Sequence, residues 1–171
     1  EAAQDVLSGF ADAFNTAYVD GFRAKIGLQT PQTEDAALIE DLLGLMAKQN
    51  ADFTLTFRNL GKAAESEQAD GALRDLFADP TAYDGWAARW RQRLADEPGE
   101  PGERRVAMDA VNPAIIPRNH LVEEALAAAM AGDLAPFERL NRALATPFED
   151  KAEFTDYAGL PPVSEAAYRT F

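Results

Sequence analysis

Large apolar residues return every three or four positions along most of this chain, and that spacing restricts it to helices. The first segment carries five of them at steps of four: Val6, Phe10, Phe14, Tyr18 and Phe22. Side chains four positions apart lie on one face of an α-helix, so the segment is predicted to be helical as far as Ile26, with Gly27 as its stop. We find no convincing apolar–polar alternation of the kind that marks a strand.

The same period predicts the remaining elements. A second helix is expected from an N-cap at Thr33 to Asn50, and a third after an N-cap at Asp52. Further helices are expected around Leu73, from Asp79-Pro80, within residues 103–111, from Arg118 to Ala131 and from Pro136 to Leu144. Residues 65–71 are expected to form a loop. The predicted fold class is all-α: an irregular multi-helix bundle of about six to eight helices with an irregular, proline-containing C-terminal tail. Residues 1–171 are taken as a single helical domain.

The charge balance excludes several partners. Sixteen basic and 29 acidic residues give a net charge of −13. A field of that sign repels phosphate backbones and anionic lipid, so we expect neither a nucleic-acid nor a membrane partner. The chain has no cysteine, which excludes disulfides and a cysteine-ligated zinc site and fits a reducing compartment. It also shows no signal-peptide pattern and no apolar run of about 18 residues. We expect a location in the bacterial cytoplasm.

The stretch from Asn112 to Leu126 holds the candidate site residues. Two prolines keep its first part extended, and an amphipathic helix follows. Arg118, Asn119 and His120, the only histidine, stand where that helix begins. A helix N-terminus favours anions, and an arginine can bind a carboxylate or phosphate, so these three residues are candidates for an anion or interface site. The alternative is structural, with Asn119 or Asn112 capping the helix and Arg118 pairing with an acid.

Other chemistry finds weaker support. His120 with Glu123 and Glu124 has a spacing that a metal site can use, but a di-metal helical bundle needs such pairs from several helices. His120 as the base of a small hydrolase is a further alternative. The sequence has no phosphate-binding loop and no serine nucleophile elbow. We therefore assign no catalytic residue and no metal ligand.

Trp86 and Trp90 stand four positions apart in a predicted helix, with arginines nearby. Such a pair can stack on bases, but it is more typical of a buried helix face. The negative net charge favours the second interpretation. We predict that both tryptophans belong to the core.

Several blocks of residues, in order through nearly the whole chain, together carry a family resemblance. The most specific is Met108-Asp-Ala-Val-Asn-Pro-Ala-Ile-Ile-Pro-Arg-Asn-His120. The others are Lys25-Ile-Gly-Leu28, Asp41-Leu-Leu-Gly-Leu-Met46, Ala51-Asp-Phe-Thr-Leu-Thr-Phe-Arg58, Trp86 with Trp90, and the closing Tyr168-Arg-Thr-Phe171. Together these blocks resemble the C-terminal region of the selenoprotein O / YdiU family.

The resemblance implies a parent protein with a kinase-like, or pseudokinase, fold. Members of the family transfer AMP from ATP to serine, threonine or tyrosine hydroxyls of proteins, with a divalent metal, Mg²⁺ or Mn²⁺. Their ATP-handling and metal-binding residues lie N-terminal to the region matched here, and none of those motifs fits a position in this chain. The family's closing cysteine or selenocysteine tail has no counterpart either.

These departures predict a C-terminal fragment of a longer adenylyltransferase. We expect no ATP or metal site within it and no AMP transfer by the isolated chain. Its expected partners are the N-terminal kinase-like region of the same parent and, through that region, the parent's protein substrates. The alternative is a stand-alone acidic helical interaction module. A severed half should expose an apolar patch that once met the other domain, whereas a module need not.

Overall fold

The computed structural model describes residues 2–161, with side chains described from residue 9 onward. Eight α-helices and two 3₁₀-helices lie within those residues, and no strand is found among them. The all-α prediction is confirmed. The chain divides into two compact units, one ending at Val111 and the other beginning at Asn112. Within residues 2–161, no helix combines the length and the apolarity that crossing a membrane requires.

The first unit contains six α-helices and a 3₁₀ turn at Glu67–Ala69. The helices are α1 (Ala2–Lys25), α2 (Asp35–Gln49), α3 (Phe53–Glu65), α4 (Asp70–Arg74), α5 (Ala82–Leu94) and α6 (Pro101–Asp109). The predicted loop at 65–71 is therefore partly wrong, because it holds the 3₁₀ turn and the start of α4. Helix α5 begins two residues after Pro80 rather than at it.

Local signals at the ends of α1, α2 and α3 are confirmed at Gly27, Asn50 and Asp52 and wrong at Thr33. Gly27 stops α1 with a φ of 80°, and Asn50 closes α2 in the left-handed region. The side chain of Asp52 caps α3 by accepting from the Leu55 amide at 2.8 Å. Thr33 is not the cap of α2. That helix begins at Asp35, and its N-cap residue, Glu34, makes no side-chain capping bond. The Asp35 carboxylate instead accepts from the Gln32 amide of the preceding turn at 2.8 Å.

The core of the first unit is centred on the two tryptophans, as predicted. Trp86 and Trp90 are 3% and 0% exposed, and their rings stack at 5.3 Å. Each indole also donates a hydrogen bond to a backbone carbonyl, Trp86 to Leu38 at 2.9 Å and Trp90 to Ile26 at 2.8 Å. Buried indoles need such partners, so α5 is joined both to α2 and to the end of α1.

The second unit packs a helical hairpin against an irregular chain. Residues 112–118 are non-helical, as the prolines predict, and are followed by α7 (Asn119–Met130) and α8 (Ala135–Leu144). The Pro147 carbonyl accepts from the amides of Ala114 and Ile115 at 2.8 and 3.1 Å. Gly132, with a φ of 92°, ends α7 as expected.

The tail is less irregular than predicted. A 3₁₀-helix spans Ala152–Tyr157 and buries Phe154 and Tyr157. Arg139 of α8 holds it by two hydrogen bonds to Asp156, at 2.6 and 2.9 Å. A bidentate guanidinium–carboxylate pair is a signal that apolar periodicity does not detect. The predicted aromatic positions Tyr168 and Phe171 lie outside the described residues.

Candidate docking surface

Helix α1 leaves the first unit with its aromatic face uncovered. Every residue from Gly9 to Tyr18 is exposed. Phe10, Phe14 and Tyr18 are 67%, 57% and 40% exposed. Phenylalanine burial is strongly favourable, and single exposed apolar residues are ordinary, but a row of three on one helix is a contiguous apolar patch.

The exposed rings form a continuous row that leads into the core. Phe10 and Phe14 lie 6.3 Å apart between centroids, Phe14 and Tyr18 lie 6.1 Å apart, and Tyr18 and Phe22 lie 4.8 Å apart. Phe22 then contacts the buried Phe57 at 5.7 Å and the half-exposed Phe53 at 6.4 Å. The packing of Phe22 against Phe57 therefore fixes the direction in which the exposed rings extend from the core.

Helix α1 is amphipathic, with acids opposite the aromatic residues. Asp12 and Asp20 each follow an aromatic residue by two positions, which places them about 200° around the helix axis. Both are exposed. One face of α1 is thus suited to water and the other to an apolar groove, which is the arrangement that helix-in-groove recognition requires.

A cavity extends this apolar region beside Phe53. It has a volume of about 370 Å³ and is lined by Leu43, Met46, Ala47, Asn50, Ala51 and Phe53. Phe53 itself is 49% exposed and packs edge-on against Phe22. We call Phe10, Phe14, Tyr18 and Phe53 the aromatic surface.

A buried ion cluster fixes the turn at the end of α1. Arg93 Nε donates to Asp35 Oδ1 at 2.8 Å, and Arg93 Nη1 lies 2.6 Å from Glu97 Oε1. The side chains of Asp35 and Glu97 have no exposed area. Glu97 also accepts from the Gln29 amide at 2.8 Å and the Thr30 hydroxyl at 2.6 Å. The cluster ties the turn to α5, at the base from which α1 extends.

This cluster gives the first unit a predictable response to acid. Burial raises the pKa of Glu97, but hydrogen bonds from Thr30 and Gln29 and the contact with Arg93 outweigh burial, so the pKa falls below its ordinary 4.5. A carboxylate whose pKa is lower in the folded chain than in the unfolded chain stabilises the fold at pH values above the unfolded-state pKa. This stabilisation is lost as the pH falls through the folded-state pKa. Glu97→Gln is expected to lessen the loss of stability between about pH 5 and about pH 3.

The check is a series of urea unfolding curves from about pH 7 to about pH 3, followed by tryptophan fluorescence. Asp41→Asn is the matched control, because Asp41 is a half-exposed acid paired with Arg89. If Glu97→Gln and Asp41→Asn show the same pH dependence as the unmodified chain, the assignment is wrong.

The three candidate residues predicted from sequence stand next to one another at the start of α7. Arg118 is the N-cap residue of α7, in an extended conformation and without a side-chain capping bond. Asn119 and His120 are the first two residues of the helix, the first exposed and the second half-buried. Capping by Asn119 is therefore wrong. Asn112 is fully buried seven residues earlier. The unit's cavity of about 260 Å³ is lined by Ala114, Ile115 and the 149–158 segment, and by none of the three candidates.

Glu123 and Glu124, the carboxylates considered beside His120, are exposed on α7. Among residues 2–161, no group of three or more histidines, cysteines or acids is arranged to hold a metal ion. We take the aromatic surface as the candidate functional site of the first unit. Its signal was present in the sequence as the spacing of Phe10, Phe14 and Tyr18, but spacing alone does not show that nothing covers them.

Together these features define a class: an all-α region whose first helix exposes an apolar face. The chain belongs to the SelO family, described as protein adenylyltransferase SelO, whose model matches residues 1–145. The expected resemblance is confirmed.

Several similar curated proteins are described as protein nucleotidyltransferase YdiU. Those from Rhodopseudomonas palustris and Bradyrhizobium diazoefficiens are each 51% identical to this chain over its whole length. One from Methylorubrum extorquens is 49% identical over 99% of the chain. In each case the match covers 35% of the relative. The chain therefore spans about a third of the length of the curated relatives it matches.

Proposed function

We propose that this chain is the helical C-terminal region of a protein adenylyltransferase acting in the bacterial cytoplasm. The parent transfers AMP from ATP to serine, threonine or tyrosine hydroxyls of proteins, with Mg²⁺ or Mn²⁺. Support comes from the family match over residues 1–145 and from relatives described as protein nucleotidyltransferases. The region's own task in this proposal is to pack on the N-terminal kinase-like part, stabilise it and shape the access of protein substrates.

The aromatic surface is the observation that carries the proposal. Four aromatic side chains between 40% and 67% exposed share one apolar region of the first unit. In water this surface favours association, because covering it removes apolar area from solvent at roughly 25 cal/mol per Å². The matched relatives are nearly three times as long as this chain, so a parent of that length supplies further protein to cover it.

The second part of the proposal is that the ATP–metal centre lies outside this chain. Phosphoryl and nucleotidyl transfer need positioned carboxylate or amide ligands for a divalent metal and cationic or backbone contacts for phosphates. No group of three or more potential ligands is found within residues 2–161, and the sequence has no phosphate-binding loop. We therefore place ATP and the metal in the kinase-like part and assign no chemical step to this chain.

The test measures binding between the two parts when they are produced separately. Phe14→Ser is expected to weaken the affinity of this chain for the kinase-like part by about 30-fold, because truncating a central aromatic anchor costs roughly 2 kcal/mol. The stability of the isolated chain should change by less than about 0.5 kcal/mol, since Phe14 is largely exposed. Calorimetric titration gives the affinity, and urea unfolding gives the stability.

Asp12→Ser is the matched control, because it alters the opposite, exposed face of the same helix. It should bind like the unmodified chain. Equal affinity of Phe14→Ser and Asp12→Ser would contradict the assigned surface. Absence of binding by the unmodified chain would favour the stand-alone interaction module. AMP transfer from labelled ATP by the isolated chain, at the rate of the parent, would refute the proposed division of labour.

A further inference from the structure

A second cavity of the first unit lies between the end of α1, the turn that follows it and α6. Its volume is about 450 Å³, within the range of small-molecule sites. Two arginines line it, Arg23 from α1 and Arg104 from α6, together with Asp20 and Gln29. Leu28 and Val111 contribute apolar wall.

Arg104 is a buried cation without a carboxylate partner among the described residues. It is 7% exposed, and its hydrogen bond is a long one, 3.5 Å, to the Glu97 carbonyl. Its Nε is buried and has no hydrogen-bond partner. Arg93, which is 8% exposed, shows the usual arrangement, since it contacts two carboxylates. A buried charge is costly unless an opposite charge or several hydrogen bonds compensate it.

The residues that line the cavity carry one net positive charge, because Arg23 and Arg104 face a single acid, Asp20. Its terminal nitrogens face Asp20 and, at 3.9 Å, Asp35, whereas its Nε is buried and has no hydrogen-bond partner. The pairing of Arg23 with Asp20 cancels one charge of each sign, so the guanidinium of Arg104 is in excess. This excess occurs in a chain of net charge −13.

Gly27 allows Arg104 to occupy this position. It has a φ of 80°, and a Cβ there would lie 2.7 Å from Met108 Sδ and 3.1 Å from Arg104 Cδ. The stem of Arg104 therefore crosses directly over the glycine, which restrains the side chain. A restrained guanidinium loses less entropy on binding an oxyanion than a free one does.

Arg104 also borders a cavity of about 260 Å³ on its other side, but that one is not suited to an anion. It contains Glu65 and Glu67, which are paired with Arg105 and Arg91. The charges of the residues that line it, Glu65, Glu67, Arg91 and Arg104, sum to zero. The cavity shared with Arg23 is the one with excess positive charge.

We propose that this cavity binds an oxyanion, a carboxylate or a phosphate group, through Arg104, with Arg23 and Gln29 as further donors. The walls formed by Leu28 and Val111 accept an apolar body attached to that group. The anion comes either from a small metabolite or from an acidic side chain of the remaining part of the parent. The site does not depend on the proposed adenylyltransferase activity.

The test uses inorganic phosphate and acetate as probes, with chloride added to keep the ionic strength constant. In the unmodified 171-residue chain we expect saturable NMR shifts at the amides of Gly27 and Gln29 and at the Nε–H groups of Arg23 and Arg104. Arg104→Met should weaken the probe affinity by about tenfold or more, since a charge-assisted hydrogen bond is lost. Arg104→Lys keeps the positive charge but not the planar guanidinium, so its probe affinity should lie between those of the unmodified chain and Arg104→Met.

Arg89→Met is the matched control, because Arg89 is a half-exposed arginine paired with Asp41. It should bind the probes like the unmodified chain. Circular dichroism establishes that each variant folds. If Arg104→Met does not fold, the test is the comparison of probe affinity between the unmodified chain and Arg104→Lys. Absence of saturable shifts in the folded unmodified chain would overturn the proposal, as would equal affinities of the unmodified chain and both Arg104 variants.

A parallel titration of the full-length parent separates the two sources. Probe binding that persists there at the same affinity identifies a free small anion. Probe binding seen in the 171-residue chain but blocked in the parent identifies an acidic side chain of the remaining polypeptide. Both results support oxyanion recognition by Arg104.

Discussion

Replacing Arg93 by methionine is expected to lower the free energy of unfolding of the first unit by about 3–5 kcal/mol. Methionine fills much of the same volume but leaves the carboxylates of Asp35 and Glu97 buried without their shared cation. An uncompensated buried charge is among the largest single-site penalties known in proteins. Guanidinium chloride unfolding is the measurement, followed by the fluorescence of Trp86 and Trp90, because the chain's two tryptophans both lie in this unit.

Two comparisons make the Arg93 result specific. Arg89→Met removes an arginine on the same helix whose pair with Asp41 is half-exposed, so the change should stay within about 0.5 kcal/mol. Adding Asp35→Asn and Glu97→Gln to Arg93→Met should recover part of the loss, since the buried charges are removed while hydrogen-bond acceptors are kept. A loss for Arg93→Met no larger than that for Arg89→Met would show that the cluster does not stabilise the unit.

Replacing Trp90 by alanine is expected to cost about 3–5 kcal/mol, enough to unfold a marginally stable domain. The indole is completely buried, stacks on Trp86 and donates to the Ile26 carbonyl. Trp90→Phe keeps most of the apolar volume but leaves that carbonyl without its donor, so we expect a smaller loss of about 1–3 kcal/mol. Circular dichroism at increasing denaturant measures both variants without relying on tryptophan emission.

Phe10→Ala is the matched aromatic control, because Phe10 is 67% exposed. It should change the stability of the isolated chain by less than about 0.5 kcal/mol. Similar losses for Trp90→Ala and Phe10→Ala would contradict the division between core and docking surface. A loss for Trp90→Phe as large as that for Trp90→Ala would assign the stability to the indole hydrogen bond rather than to packing.

Local sequence signals predicted much of the fold. The Trp86/Trp90 spacing indicated a buried face, Asp52 indicated a cap, and Gly27 and Gly132 indicated helix ends. These signals act over one helical turn, so they can be evaluated along the chain without knowing its path. The Thr33 cap was wrong, because α2 begins at Asp35 after Glu34. Asp35 itself contacts Arg93, 58 residues away, and local spacing carries no signal of that contact.

The candidate sites were predictable only in part. Arg118, Asn119 and His120 were chosen because a helix N-terminus and the sole histidine coincide, and they remain a prediction for the parent protein. The Phe10, Phe14 and Tyr18 spacing indicated a helix face but not its exposure. Arg104 gave no local signal, because a missing carboxylate partner is a property of everything packed around a side chain.

The sequence by itself determined the helical class, the buried tryptophan pair and membership of the SelO family. These follow from spacing and residue order, which are properties of the chain alone. Only the tertiary structure decided which charges meet and which faces stay uncovered. It paired Arg93 with Asp35 and Glu97, left Arg104 beside a cavity and left the rings of α1 exposed. Burial and pairing depend on distances between residues far apart in sequence, and packing alone sets those distances.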